Sequence, residues 1–462
     1  MWNTRFGNFA PRIGIAWDPT GKGVWALRAG YSTAYDEPFS NLFTNASRFN
    51  PPDSTTVFNE PSIGVGTDVH YQFPFEPSPD FAAPTLPNGG IQGIEINPSG
   101  VAQHLKTAYA EQRFFGIQHS FWHDYAFAIN YVGTRGVDQY TREDYNRFAG
   151  DICNATTCSY ENNRLNFGWG AITYVSNEGY SNYNGLNAQL RHNYSHGLLL
   201  VANYTYGKVL DNVTDVGLGD YSNVNGYGAL YAGNADVNRG RLDYGPSEFD
   251  VRHRFTLSAV WDIPAPGKSH EMAGKIFGGW QLNSIVTLQS GRPFDVYCGL
   301  GWFDGCDFNM DGLDYDRPNR LANLKTTGFT NQQFTNGIFG DPALTFYDAF
   351  SRTSTASQTF CPNGLNSILD FGPGFQCVPV GTDGNLSRNA FRGPAFYTTD
   401  MGLFKNVKIN ERFKVQLRMD AFNLFNRVNL YNPIGDLGSG QFGQSTAAFP
   451  SRQFQYSLKL LF

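Results

Sequence analysis

The amino-acid sequence predicts an all-β fold, an antiparallel transmembrane β-barrel with about eleven strands, and three observations support it. Charged residues make up only 16% of the chain and aromatic residues also reach 16%, whereas about 25% charged residues is typical of soluble domains. Apolar and polar residues alternate along many segments of roughly ten residues, the length of a tilted membrane strand. Short and long connections between these segments alternate along the chain.

The strand pattern begins near the start of the chain and recurs to its end. RIGIAW and WALRAGY flank the turn DPTGKG, RFFGIQHSF and YAFAINYVG flank WHD, and LNAQLRH and LLLVANYTY flank the region of SHG. RHRFTLSAVWDI, WQLNSIVTL, FKVQLRMDAF and the terminal RQFQYSLKLLF show the same alternation. Because successive side chains of a strand point to opposite faces, each segment has one apolar face and one polar face.

The long connections are predicted to lie on one side of the membrane and the short turns on the other. This asymmetry is typical of outer-membrane barrels, whose extracellular loops are long and whose periplasmic turns are short. A soluble sandwich or propeller is the alternative, since it also has one wet and one dry face. The predicted extracellular loops cover residues 36–110, 136–182, 209–250, 291–395 and 427–451.

Several other classes of protein are disfavoured. The longest apolar runs are far shorter than the ~18 residues of a spanning helix. The net charge of −6 and the lack of a Lys/Arg block give no indication of nucleic-acid binding. The eight histidines are scattered and no catalytic motif is present, so we do not expect an enzyme. The first residues lack the features of a signal peptide, so either export is not intended or the natural beginning lies upstream.

Four segments resemble the barrel strands of TonB-dependent outer-membrane receptors, and more narrowly those of the Oar-like group. They are residues 183–212, 247–264, 278–294 and 385–430, the last of which contains DAFNLFN. The resemblance implies a 22-stranded barrel in the bacterial outer membrane, a plug in its lumen and uptake powered through TonB. The chain departs from this pattern because it shows no plug, no TonB box and about half of the strands.

The strand count favours a partial barrel. Bacterial single-chain barrels have even strand numbers, and about eleven strands is an odd set. We therefore expect residues 1–462 to be one partial barrel domain, the C-terminal half of a 22-stranded barrel. A closed odd-stranded barrel is the alternative, since such barrels exist.

The resemblance also implies a function and partners. The expected function is TonB-dependent uptake of a scarce, bulky solute of the siderophore, oligosaccharide or peptide class, and the alternative is a surface protein for adhesion without energised transport. The expected partners are outer-membrane lipid, TonB through an upstream segment, an unknown solute and the barrel-assembly machinery. The terminal strand resembles the signal that this machinery recognises, and its apolar positions are Phe454, Tyr456, Leu458, Leu460 and Phe462.

Cysteines occur as three sequence-local pairs within the predicted extracellular loops. An exported, oxidising setting favours disulfides, and local closure of loop tips is the expected arrangement among fifteen possible pairings. A metal site and free thiols are the alternatives. The pairs are Cys153 with Cys158, Cys298 with Cys306, and Cys361 with Cys377.

The segment DFNMDGLDYD predicts a calcium site. Hard oxygen ligands at alternate positions and Gly312 at the sharp turn suit Ca²⁺. Pro318 occupies the position of the usual bidentate Glu, so a solvated acidic turn is the alternative. No other cofactor is expected. The candidate ligands are Asp307, Asn309, Asp311, Asp314 and Asp316.

Aromatic residues are frequent in the long loops. They could stack on a sugar or a peptide, and packing within the loops is the more common alternative. The candidates for ligand stacking are Tyr221, Tyr227, Tyr231, Trp302, Phe303 and Tyr315.

Overall fold

The computed structural model describes residues 7–36, 98–122, 124–144, 146, 172–213, 243–264, 272–297, 325–338, 386–410, 412–436 and 439–461. The strands are β1 Arg12–Trp17, β2 Trp25–Tyr35, β3 Ser99–Val101, β4 Tyr109–Phe121, β5 Tyr125–Asp144, β6 Thr173–Ser195, β7 Leu198–Asp211, β8 Gly245–Pro246, β9 His253–Asp262, β10 Trp280–Gln289, β11 Pro293–Phe294, β12 Phe391–Arg392, β13 Phe396–Lys408, β14 Lys414–Phe422 and β15 Gln453–Leu461. The helices are α1 Met272–Phe277 and α2 Asn331–Asn336.

Eleven of these strands lie side by side in one antiparallel sheet, as the sequence predicts. Their order is β1-β2-β4-β5-β6-β7-β9-β10-β13-β14-β15. Two short strands extend the sheet beside this path, β3 parallel to β6 and β8 antiparallel to β7, while β11 and β12 pair separately. Within the described residues no pairing joins β1 to β15, and an antiparallel path of eleven strands makes these two edge strands run in the same direction.

The two ends of the sheet differ in how the strands are connected. At one end, here called the short-turn end, short turns join β1 to β2, β4 to β5, β6 to β7 and β13 to β14, and a longer connection that contains α1 joins β9 to β10. Long connections leave the other end, here called the long-loop end. The predicted alternation of short and long connections is therefore present in the structure.

One face of the sheet is apolar across its width. Directly paired residues of neighbouring strands lie on the same face. Ile15 and Leu458 are 67% and 70% exposed, so the described part of the chain does not cover this face at either edge. A continuous apolar face of this kind needs apolar surroundings. Successive members of one such series are Ile15, Ala29, Phe115, Tyr131, Leu186 and Tyr206.

The apolar face ends in tryptophan at the short-turn end. All five tryptophans that the structure describes lie there, in the turns or in the first or last residues of strands. Tryptophan is enriched where hydrocarbon meets the headgroup region, because its ring is apolar and its N–H is polar. These residues are Trp17, Trp25, Trp122, Trp261 and Trp280.

β5 and β6 are longer than the sequence pattern predicts. β5 runs to Asp144 and β6 starts at Thr173, so strand residues occupy both ends of the segment 136–182 that the sequence predicts to be a loop. The register of β5 against β6 shifts twice between Gly136 and Thr141, and these bulges interrupt the alternation from which strands are recognised. Beyond the bulges the Thr141 and Ser176 hydroxyls hydrogen-bond at 2.8 Å, so the pairing continues.

Helices contribute little to the described part of the chain. α1 and α2 have six residues each. In the ranges that the structure describes, no helix has the length and apolar character needed to cross a membrane.

Candidate functional site: the polar face and the long-loop end

The face opposite the apolar one carries polar side chains that form hydrogen bonds with side chains of neighbouring strands. The Asn187 amide donates to the Thr205 hydroxyl at 3.1 Å, and the Gln189 amide donates to Asn203 Oδ1 at 2.8 Å. These groups remain partly exposed, so this part of the face is hydrogen-bonded and also accessible to water. Two further pairs of the same kind are Gln281 with Asp262 and Gln416 with Asn406, each at 2.8 Å.

A buried ion pair ties two long connections together at the long-loop end. Asp211 ends β7, and Arg388 precedes β12. Arg388 Nη1 donates to Asp211 Oδ1 at 2.6 Å and to the Asp211 carbonyl oxygen at 3.0 Å. The two side chains are only 7% and 6% exposed. A charge-assisted bond of this kind, out of water, fixes the position of residues 386–390 against β7.

A second buried carboxylate lies between two guanidinium groups. The Asp250 side chain is fully buried; it forms an ion pair with Arg392, and the Nε of Arg252 lies 2.9 Å from its Oδ2. Its Oδ1 also accepts the backbone N–H of Val209 at 2.7 Å. Because both oxygens of the carboxylate are engaged, the connection before β9 is held against β7 and β12.

Tyr244 lies beside this network. Burial, and to a smaller extent the negative charge of Asp211, raises the pKa of the Tyr244 phenol above its ordinary value of 10.0. Its ring lies 5.1 Å from that of Tyr180, measured between centroids. The phenol is therefore neutral at physiological pH, and it adds aromatic surface rather than charge to the long-loop end.

The long connections also bury apolar side chains of their own. Phe294 of β11 pairs with Phe391 of β12, and their ring centroids are 5.5 Å apart. Thr330 and Gln333 form a capping box that starts α2, whose Phe334 is buried. The buried apolar residues of these connections, here called the mouth residues, are Phe294, Val296, Phe334, Leu386, Phe391 and Phe442.

The predicted terminal strand is present with the expected face. β15 pairs with β14, so that Phe454 lies opposite Ala421 and Leu458 opposite Leu417, both on the apolar face. Tyr456 and Leu460 lie on the same face and are exposed. The role of this strand in barrel assembly stays a prediction, and Phe462 lies outside the described residues.

The other predicted site residues also lie outside the described residues. These are the six cysteines, the candidate calcium ligands between Asp307 and Asp316, and the six loop aromatics from Tyr221 to Tyr315. Disulfides, calcium and ligand stacking therefore stay predictions. Among the residues that the structure does describe, no group of three or more His, Cys, Asp or Glu is arranged to hold a metal ion.

Sequence reasoning missed the ion-pair network and the mouth residues. Arg388 and Asp211 are 177 positions apart, and nothing local to either residue indicates the other. The one sequence indication is that charged residues such as Asp250 and Arg392 are retained in a chain that is otherwise poor in charge. Such residues are candidates for burial in pairs.

A two-faced antiparallel sheet of this length, apolar on one side and polar on the other, is the wall of a membrane-spanning β-barrel. The family model described as "Outer membrane beta barrel domain" matches residues 1–455, and the chain belongs to this family. The protein is therefore an integral β-barrel protein of the outer membrane, and the soluble alternatives are excluded.

Three solved structures to which the chain is similar are the following. The outer membrane transporter YddB from Escherichia coli is 11% identical with a TM-score of 0.47, over 97% of this chain and 40% of that one. The FrpB iron transporter from Neisseria meningitidis is 11% identical with a TM-score of 0.41, over 98% of this chain and 39% of that one. BauA, the ferric preacinetobactin receptor from Acinetobacter baumannii, is 10% identical with a TM-score of 0.39, over 98% of this chain and 36% of that one.

The chain thus spans 40% or less of the length of these three structures. Among curated proteins, none matches the chain by sequence.

Proposed function

We propose that the protein works as part of a TonB-dependent receptor of the Oar-like group and takes up a scarce, bulky solute across the outer membrane. In this proposal the described strands supply part of the barrel wall, and the long connections face outward and capture the solute. The observation that carries it is the eleven-stranded sheet with a continuous apolar face and a hydrogen-bonded polar face.

The polar face supports passage of a hydrophilic solute. Amide and hydroxyl groups such as those of Gln189 and Thr205 offer neutral donors and acceptors and no strong fixed charge. A solute moving along such a wall can exchange hydrogen bonds with these neutral groups, and charged side chains such as Asp262 and Arg254 lie on the same face. A barrel of 22 strands encloses a lumen wide enough to need a plug, so the wall alone would not be a gate. The plug and the TonB contact would come from another part of the protein.

The long-loop end supports capture. Buried ion pairs at Asp211 and Asp250 hold the bases of the long connections in fixed positions. A preorganised frame lowers the conformational entropy that loops lose when they close on a ligand. The solute class proposed is siderophore, oligosaccharide or peptide, and loop disulfides or a bound Ca²⁺ would stiffen the same region.

A second candidate function is adhesion at the cell surface. It is favoured by the mouth residues, because connections that bury Phe334, Phe391 and Phe442 make a folded surface rather than short flexible tips. A folded surface of this kind could bind matrix or a neighbouring cell without any transport.

The experiment that separates the two candidates uses deletion of the gene and complementation in the native bacterium. Cells receive ferric siderophores, oligosaccharides or peptides as the limiting nutrient, and depletion from the medium is measured by mass spectrometry. We expect depletion of one class to require the gene, to stop with a protonophore and to stop in a strain without TonB. Unchanged depletion of all three classes, together with loss of surface attachment, would contradict transport and support adhesion.

A further inference from the structure

At the long-loop end of the apolar face, one cross-strand row changes from apolar to basic. Arg113 of β4, Gly133 of β5, Asn184 of β6 and Lys208 of β7 are direct partners in succession. The neighbouring row, two residues nearer the short-turn end, is Phe115, Tyr131, Leu186 and Tyr206. Across β4 to β7, an apolar row is therefore followed within one step of the strand repeat by a row that carries positive charge.

A third cation lies one row further out. Arg135 of β5 is paired with Glu111 of β4 and with Asn182 of β6, on the same face. The name rim patch is used here for Arg113, Arg135 and Lys208, all three of which are exposed. Within the described part of the chain, the acidic contact to this patch is Glu111, 3.3 Å from Arg113. The patch therefore keeps an excess of positive charge.

The centre of the row is a flat floor. A side chain at Gly133 would meet the Tyr131 hydroxyl at 2.8 Å, because the Tyr131 ring lies over this glycine. The same hydroxyl donates to Asn184 Oδ1 at 2.6 Å, which fixes the ring and the amide together. Neighbouring strands lie ~4.8 Å apart, so the backbones of Arg113 and Lys208, on either side of this floor, are separated by about 14 Å. Their long side chains can reach a headgroup that lies on the floor.

The short-turn end of the same face is built differently. Among the described residues, a cation on this face there is Lys405, whose Nζ donates to the carbonyl oxygens of Ile276 at 2.7 Å and of Gly278, and lies 5.0 Å from the centre of the Trp280 ring. That charge is satisfied within the protein. The cations of the rim patch point outward on a lipid-facing surface, so they are available to a lipid.

We propose that the rim patch binds the phosphate groups of a phosphorylated glycolipid in the leaflet at the long-loop end. Guanidinium groups suit phosphate because their N–H groups form parallel bonds to two oxygens. The apolar row below the patch would contact the acyl chains of the same lipid. Placing this lipid in the outer leaflet rests on the outward orientation of the long connections in the proposed function; binding itself does not.

The test is native mass spectrometry of the intact protein in detergent. The probes are diphosphoryl lipid A and the same lipid after enzymatic removal of its phosphates. We expect diphosphoryl lipid A to bind with higher affinity than the dephosphorylated form, and the triple variant Arg113→Gln, Arg135→Gln, Lys208→Gln to lose on the order of 100-fold of that affinity. The matched control replaces three exposed cations of the short-turn end, Lys22→Gln, Lys408→Gln and Arg412→Gln, and should bind as the wild type does.

Equal affinity for the two lipids, or an equal loss in the control variant, would overturn the proposal. Displacement of the lipid by excess inorganic phosphate would show that a free anion, not a lipid, is the ligand. A shift in electrophoretic mobility on heating checks that each variant is folded. If the triple variant is not folded, the single variants Arg135→Gln and Lys208→Gln are measured instead. An epitope tag at residues 437–438, probed on intact cells, tests the orientation separately from lipid binding.

Discussion

The two ends of the sheet reach a defined structure in different ways. At the short-turn end the turns are closed by local features, such as Gly197 with φ of 79° and the Asp18 carboxylate that accepts the N–H groups of Thr20 and Gly23. At the long-loop end the same task falls to Arg388 and Asp211, which come from distant parts of the chain. One end is therefore stabilised by contacts within a few residues and the other by buried contacts across the fold.

The difference shows which end suits which task. Local turns give a rigid edge that depends little on the rest of the chain, and their tryptophans hold that edge at the membrane interface. Long-range ion pairs such as that of Arg392 with Asp250 hold the ends of the long connections in place, so the sequence between those ends can vary. Binding surfaces are commonly built on loops that a rigid scaffold positions, and the long-loop end has this arrangement.

The largest expected effect comes from removing one partner of the buried ion pair. Arg388→Ala leaves the Asp211 carboxylate buried without its guanidinium, which typically costs about 3–5 kcal/mol. We expect a loss of this size in the free energy of unfolding, measured by urea unfolding in lipid vesicles, and faster proteolysis near residues 243–250. Arg12→Ala, at an exposed arginine of β1, is the control and should change stability by less than about 0.5 kcal/mol.

The double variant Arg388→Met with Asp211→Leu sharpens this comparison. Replacing both charges by apolar side chains removes the uncompensated charge, so much of the lost stability should return. If the double variant is as unstable as Arg388→Ala, the ion pair is not what fixes the long-loop end.

A smaller effect is expected at the short-turn end. Gly197→Ala places a side chain in the left-handed region, at a cost of about 1–2 kcal/mol, and its Cβ would meet the Asp262 carbonyl oxygen at 2.9 Å. The same urea titration should show this loss, without faster proteolysis of the long connections. Gly440→Ala, with no atom within 4 Å of the added Cβ, is the control. Equal losses in the two variants would show that turn geometry is not the cause.

The polar face should respond more weakly still. Gln189→Ala removes the side-chain hydrogen bond from the Gln189 amide to Asn203. A hydrogen bond of this kind contributes about 0.5–1.5 kcal/mol net to stability. We expect a value in the lower part of this range, because water can replace the lost partner. A double-mutant cycle with Asn203→Ala measures the pair directly. A coupling free energy of zero would mean that the polar face is ordered by the backbone ladder alone.

The smallest effect is a pH dependence at the short-turn end. The backbone N–H groups of Gly23 and Thr20 hold the pKa of Asp18 below its ordinary value of 3.8. Stability from the ionised carboxylate is therefore complete above pH 3.8 and is lost as the pH falls through the lower folded-state pKa. Wild type and Asp18→Asn should differ in thermal stability at pH 6 and converge at lower pH. A difference that persists unchanged in strong acid would contradict this assignment.

Much of the fold could be predicted from the sequence because its pattern is local. Alternation such as that of Phe454, Tyr456 and Leu458 gives both the strand and its apolar face, and turn residues such as Gly197 mark where strands reverse. The prediction was wrong where bulges interrupt the alternation, as between Gly136 and Thr141. The ion pairs of the long-loop end were not predicted, because their partners are far apart in the chain. The proposed calcium ligands, disulfides and stacking residues lie outside the described residues and stay predictions.

The sequence by itself determined the class of this protein: an antiparallel sheet of about eleven strands, one face for lipid and one for water. It could do so because the two-residue alternation of apolar and polar side chains can be recognised within any few residues of a strand. Only the tertiary structure decided that Arg388 meets Asp211, that Asp250 lies between Arg252 and Arg392, and that Arg113 and Lys208 share one row. These juxtapositions depend on the register of strands far apart in the chain, which local side-chain preferences do not specify.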